Sequence, residues 1–493
     1  MTFDLQFDPD MLPFSTLISV DKSAKTPVFL QIAASFTESI RRGVIVPGAR
    51  LPGTRALSET LGVHRKTVVA AYDELLAQGW LETQHSRGTF VSQKLPEIRP
   101  QAWGKNAGPA NRQKAGFAFR RNPLLDFPPL KSSGAPAFND GFPDVRIAPW
   151  DALGRAYRTA LRQGFRKNLV FYGEMTGEPS LRSAMTDYLR ESRGLAIGAE
   201  NVMITRGSMM AIHLATHSIV APGETVVVGD ISYNSANLIF ANAGARLVKV
   251  PVDEHGIDVE AIERLCGSAA VRMVYVTPHH HYPTTVIMPA ERRLRLLELA
   301  RKRGFCILED DYDYDFHYDS NPIMPLAGAD TGRHVVYIGS LSKVFSPALR
   351  VGYIAAPAEI IEALADLRRI VDRQGDNLLE AALAALFRDG DMRRHLKKAQ
   401  KIYHRRRDLF CDLLQSELGH VVEFSRPTGG LAVWARFDPA CSLRELARKS
   451  RENGLWISDG LNYGAYLNAA RLGFAAVNEE EIERGINILK KAI

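Results

Sequence analysis

From Phe138 onward, short apolar runs rich in β-branched residues alternate with longer amphipathic runs, and this alternation restricts the possible folds most. The candidate strands are TVVVGD (225–230), RLVKVP (246–251), RMVYVTP (272–278), FCILED (305–310), VVYIGS (335–340) and GYIAAP (352–357). Between them lie stretches such as PAERRLRLLELARKRG (289–304), whose leucines recur at helical spacing. Nearly continuous apolar strands separated by helices predict a mostly parallel sheet covered on both faces. From about Ile370 the pattern becomes helices with a few strands, which predicts a smaller α+β subdomain. Residues 138–493 are therefore expected to form one α/β body.

The first 93 residues follow another plan. Phe29, Ile32, Ala33, Phe36 and Ile40 recur at helical spacing until Gly43. A short helix is predicted over Arg55–Leu61, with Thr54 as N-cap, and Gly62 breaks it. A second is predicted over Arg65–Gln78, with Val68, Val69, Tyr72, Leu75 and Leu76 facing inward, and Gly79 closes it. LETQHSRGTFV then alternates around a Ser86–Gly88 turn, as a hairpin does. Helix, short helix, turn, helix and hairpin together predict a winged helix-turn-helix.

Charge divides the chain again. The net charge is +7 in 493 residues, yet residues 94–131 alone hold 8 Lys+Arg against 2 Asp+Glu. The segment 94–137 is rich in Pro and Gly, shows no period and reads as a basic linker. A basic block is either a solvated linker or an attraction for a polyanion partner, and the second would add to whatever a neutral helix-turn-helix head supplies. The four cysteines are scattered without CxxC spacing, which predicts reduced thiols and no zinc site. The acidic start MTFDLQFDPDMLPF lacks a secretory pattern, and no apolar run is long enough to span a bilayer. A cytoplasmic protein away from membranes is expected.

The segment PGARLPGTRALSETLGVHRKTVVAAYDELLAQGW, followed by SRGTFV, resembles the GntR family of bacterial regulators. Two departures are visible: Gly53 stands for the usual serine, and His64 and Lys66 stand where Ser and Asn are commoner. A recognition helix directs its first side chains at base edges, here His64, Arg65, Lys66 and Thr67. Arg55 and Arg87 are placed to meet phosphates. The resemblance implies that double-stranded DNA is the partner.

Residues 138–493 resemble the fold-type I aminotransferases, which hold pyridoxal phosphate. GSLSKVFSPALRVGYI (339–354) matches their Ser-x-Ser-Lys segment, so the resemblance implies that Lys343 forms the imine with the cofactor. It implies that Asp310 pairs with the pyridine nitrogen and Tyr312 bonds the ring's hydroxyl oxygen. Its neighbours Asp311, Asp313 and Asp315 read as a solvated acidic loop. Gly207, Ser208 and Met209 open a helix after a strand and would cradle the phosphate. Arg350, Ser340 and Ser342 match further phosphate ligands. Tyr233 would cover the ring face. In HHHYPTT (279–285), His280 would approach the cofactor and Tyr282 would line the pocket; Thr285 replaces the family's glycine. Three consecutive histidines on extended chain point to alternate sides and make a poor metal site, so no metal is expected. Arg471, in ARLGFA, would grip a carboxylate with its planar fork. Tyr172 matches a segment that reaches the partner subunit's site, which implies a homodimer.

A GntR-type head on an aminotransferase-like body is the architecture of the MocR (GabR-like) regulators. The resemblance implies a regulator in which an amino-compound effector replaces Lys343 on the cofactor and changes how the dimer holds DNA. It also implies that the head of one chain lies near the body of the other. The rival reading is a working aminotransferase with an appended head; Thr285 and Met209 weigh against efficient turnover.

Overall fold

The computed structural model of the chain describes residues 14–24, 26–96, 115–119, 122, 136–319, 323–463 and 467–493. Most of the linker expected over 94–137 lies outside the described residues. The chain divides into two compact units, Met1–Arg120 and Arg121–Ile493.

In the first unit, α1 (Val28–Arg41) buries Ile32, Phe36 and Ile40 on one face. Phe36 meets Tyr72 edge-on at 5.8 Å, a favoured arrangement of two ring quadrupoles. α2 (Thr54–Leu61) ends at Gly62, whose φ of 60° is the left-handed cap that glycine adopts without strain. Its N-cap is Gly53, not Thr54 as expected. Thr54 is the first helical residue, and its hydroxyl accepts a bond from Arg65 Nε at 3.3 Å. α3 (Arg65–Ala77) buries Val68, Ala71, Tyr72 and Leu75, a clean i, i+3, i+4, i+7 face. Val69, expected inside, lies about a quarter-turn off that face and is exposed. β1 (Leu81–Gln84) and β2 (Gly88–Val91) pair antiparallel as the wing.

The second unit is built on a seven-stranded sheet. Its strands are β3 (Val202–Thr205), β4 (Thr225–Gly229), β5 (Arg246–Val250), β6 (Val271–Val276), β7 (Cys306–Asp311), β8 (Val335–Ser340) and β9 (Gly352–Ala355). The spatial order is β3-β9-β8-β7-β6-β4-β5. All neighbours are parallel except β9, which runs antiparallel to both β8 and β3. Most strand positions are buried, which is why the strands read as apolar runs and not as alternations. Register aligns three strand ends. Thr205 faces Gly352 and Gly352 faces Ser340, so three chain segments meet on one rung at the carboxyl edge of the parallel strands. That edge is where open α/β sheets place their ligands.

A second core lies in the C-terminal part. β10 (Val422–Phe424), β11 (Ala432–Phe437) and β12 (Ala469–Gly473) form a small antiparallel sheet. The long helix Asp391–Leu418 and the last helix Glu479–Ala492 belong with it. Phe138, Phe410, Phe474 and Leu472 are among its wholly buried side chains. This is the smaller subdomain expected from Ile370 onward, and the fold is α/β with a winged helix-turn-helix ahead of it.

Candidate functional site

Lys343 sits in the turn after β8, at the rung where Thr205, Gly352 and Ser340 meet. Its Nζ donates to Gly141 O at 2.8 Å and lies 4.6 Å from the Phe142 ring centroid. Burial pulls the ammonium down to about 8, against the opposing pull of Asp140. Ser340 and Ser342 flank it, and Ser340 Oγ accepts from the Ser342 amide at 3.2 Å. Gly207 has φ of +82° and precedes the helix Ser208–Ile219 (α4). A Cβ on Gly207 would lie 2.8 Å from Arg350 Nη2, so only glycine lets that guanidinium reach the helix start. Arg350 holds its place by donating to Arg206 O at 3.1 Å. Tyr233 directs its hydroxyl to Met209 Sδ at 3.5 Å.

Asp310 lies near the end of β7 and is buried. Tyr275 donates to its Oδ2 at 2.8 Å, while Oδ1 has no partner. Burial pushes this carboxyl up to about 7 despite the tyrosine. A buried carboxylate oxygen left without a donor is expensive unless a ligand supplies one.

The residues after Asp310 correct the sequence reading. Asp311, Asp313 and Asp315 are not a solvated loop. Asp311 and Asp313 are buried; Asp311 accepts from Tyr337 Oη at 2.6 Å and Asp313 from His280 Nδ1 at 2.8 Å. Asp315 takes both prongs of Arg193 at 2.8 Å. The sequence offered no sign of Arg193, Tyr337 or His280 as their partners, because each comes from a distant element. His280 thus spends its ring on Asp313, and Tyr312 donates its hydroxyl to the His280 carbonyl at 3.0 Å. His279 and His281 are buried too; burial, then Arg471, pulls His281 down to about 4. Thr285 stands at φ 63°, a strained place for a β-branched residue and one that glycine would occupy freely.

Arg471, on β12 opposite Trp434, is only 1% exposed. It donates to Pro283 O at 3.2 Å, and its carbon lies 5.3 Å from the Tyr282 ring centroid and 5.5 Å from that of Tyr312. Two carboxylates flank it, Asp140 at 3.7 Å and Asp313 at 3.9 Å. Asp140, Phe142 and Tyr463 escaped the sequence reading. The only available signal was the segment NDGFPD, which opens the body just after the linker.

Not every expected residue joins this cluster. Tyr172 is exposed, with Arg373 stacked 4.2 Å from its ring centroid, beside exposed Phe165 and Phe171. In the head, Arg55, His64, Arg65, Lys66 and Arg87 are exposed and Thr67 is half-buried. His64 caps α3, its Nδ1 accepting from the Lys66 amide at 3.2 Å. Among the described residues no group of three metal-ligating side chains comes together. No described helix is long and apolar enough to cross a membrane.

Residues 151–489 match the model of the aminotransferase class I and II family. The chain belongs to that family. Residues 29–91 match the gntR family of bacterial regulatory proteins, so the class I and II body carries a GntR-type head, the MocR architecture. Similar chains include the probable rhizopine catabolism regulatory protein MocR of Rhizobium meliloti, 29% identical over 97% of this chain and 96% of its own. Another is the HTH-type transcriptional regulator TauR of Rhodobacter capsulatus, 29% identical over 93% and 94%. Among solved structures, the α-aminoadipate aminotransferase LysN of Thermus thermophilus superposes with a TM-score of 0.68 at 26% identity. That match covers 73% of this chain and 92% of LysN, which was solved with a phosphopyridoxyl-leucine adduct.

The cofactor of this class I and II body is pyridoxal phosphate, and the residues present fit it. The partnerless Asp310 Oδ1 suits a protonated ring nitrogen, and the Gly207–Arg350 cradle suits a phosphate. When bound, the cofactor supplies an aldehyde carbon that condenses with amines and a ring that withdraws electrons. As the amine that would take it, Lys343 would react only in its neutral form. Capture of pyridoxal phosphate by the cofactor-free chain should therefore accelerate as pH rises, with a midpoint of about 8. An initial-rate profile by stopped-flow absorbance checks this; a midpoint above 10, where an exposed lysine titrates, would refute the burial argument.

Proposed function

We propose that the chain is a pyridoxal phosphate-dependent, DNA-binding transcriptional regulator that responds to an amino compound at Lys343. One observation carries the reading: a half-buried amine of lowered pKa and a partnerless buried carboxylate share one sheet edge. The same chain carries a helix whose first turn exposes His64, Arg65 and Lys66. The names of the similar regulators support the same assignment. The head takes duplex DNA, with α3 in the major groove and Arg55 and Arg87 on phosphates. Lys343 and Tyr312 serve the cofactor's aldehyde and ring-hydroxyl edge, and Asp310 its ring nitrogen. Gly207, Ser208, Met209, Ser340, Ser342 and Arg350 hold its phosphate, and Tyr233 covers its ring. His280 acts from behind, by fixing Tyr312 and Asp313. Arg471 and Tyr282 line the effector pocket. The exposed Phe165, Phe171 and Tyr172 form an apolar face that a second copy would cover, making a cytoplasmic homodimer. An effector changes DNA binding only through unequal affinity for two arrangements of that dimer.

The test pairs two readouts on the full chain. Amines are screened for a change in cofactor absorbance, and each hit is tested for binding to duplex DNA selected by the chain from a random pool. A hit should shift DNA affinity by about five-fold or more. Steady interconversion with an added keto acid, and no change in DNA affinity, would instead assign an aminotransferase with an appended head.

A further inference from the structure

The side chains gathered beside Lys343 do not suit a lone carboxylate. Arg471 is the expected anion grip, yet its charge is already offset, with Asp140 and Asp313 both within 4 Å of its guanidinium. Asp313 is itself sealed. Asp140 is the accessible charge: its side chain keeps 33% of its surface, against 1% for Arg471. A ligand entering there meets a carboxylate before it meets the guanidinium.

Asp140 is also held in place. Tyr282 donates to one of its oxygens at 2.7 Å and Tyr463 to the other at 3.1 Å. A carboxylate accepts about four hydrogen bonds, so each oxygen keeps acceptor capacity for a ligand. The walls around it are aromatic. Tyr282 lies 5.0 Å from Tyr233 and 6.2 Å from Tyr463, and Trp434 lies 5.1 Å from Tyr463, all between ring centroids. An oriented carboxylate among electron-rich ring faces is the chemistry that binds an ammonium group.

We propose that Asp140, positioned by Tyr282 and Tyr463, forms a subsite for a second cationic nitrogen. The effector is then a diamine or a basic amino acid: one nitrogen reacts at Lys343's position and the other pairs with Asp140. This rests on the reading of Lys343 as the effector-responsive amine. Arg471 takes a supporting part, pairing with a ligand carboxylate where there is one and otherwise leaning on Asp313.

The full chain loaded with pyridoxal phosphate is titrated with matched pairs of probes, lysine against norleucine and cadaverine against pentylamine. Binding is read by calorimetry and by the change in DNA affinity. Each dicationic probe should bind about ten-fold more tightly or better than its monocationic partner, as a charge-assisted bond in a partly desolvated site requires. Asp140→Asn, which keeps an oxygen for a tyrosine hydroxyl, should bring each ratio to about one. Equal affinities in the unaltered chain overturn the subsite, whether or not the variant folds. So does a ratio that survives Asp140→Asn. If the chain fails to take up cofactor at all, the functional reading falls and the subsite with it; with the cofactor band intact, equal affinities remove the subsite alone.

Discussion

Lys343→Ala is expected to leave the full chain with no borohydride-reducible cofactor adduct, and with no amine-dependent change in DNA affinity. The loss is complete because no other described lysine carries the combination seen at this position. Its amine is half-buried, donates to a backbone carbonyl, and shares a sheet edge with Asp310, whose Oδ1 has no partner. Stability should not fall with function. Burial lowers the folded pKa to about 8, whereas an unfolded lysine titrates near 10.5. The unfolded chain thus holds more protons between those values, and the lysine's cost to folding is full below 8 and fades as pH rises toward 10.5. At neutral pH the alanine variant should melt no earlier than the parent. Mass spectrometry after reduction, with thermal melts in parallel, makes the comparison. An adduct that persists elsewhere, or a DNA response that survives, would remove Lys343 from the centre of the scheme.

Asp310→Asn separates ligand binding from folding in the same way. The amide can still accept from Tyr275, so the packing around Tyr275 stays. It cannot pair with a protonated ring nitrogen. Removing one member of a buried, hydrogen-bonded charge pair costs about 2–5 kcal/mol, so cofactor affinity should drop by about a hundred-fold. Without cofactor the sign reverses. This carboxyl's folded pKa is raised from 3.8 to about 7, so it is tolerated when protonated and penalises folding increasingly as pH climbs between those values. Above pH 7 the cofactor-free variant should be at least as stable as the parent. Fluorescence titration with pyridoxal phosphate and melts at two pH values test both halves. Unchanged affinity would show that the ring nitrogen does not lie against this side chain.

What could be read from the chain beforehand divides along physical lines. Six of the seven sheet strands were legible as apolar runs, and all six candidates sit within a residue or two of the observed strands; the short Val202–Thr205 was not among them. The reversed direction of β9 was not legible, since direction is set by where the chain returns and not by composition. Val69 was misplaced because two adjacent valines look alike in a helix until the partner face is known. The acidic run after Asp310 was misread for a related reason. Aspartates on a loop are usually solvated, and only the arrival of Arg193, Tyr337 and His280 from afar makes them internal. Asp140 is the largest omission. The surrounding segment NDGFPD was its one mark, and its meaning comes from two tyrosines and an arginine that the fold delivers.

Arg471 hangs from the small C-terminal sheet, but its fork lands on the carbonyl of Pro283, in the segment after β6 of the large one. This is one of several ties between the two parts, for Gly430 of the small one also bonds to Phe316 O and to the Tyr318 hydroxyl, in the segment after β7. A guest that draws on this guanidinium would weaken one of these ties. On the regulatory reading proposed above, occupancy would then reach both parts of the body through the binding residue itself.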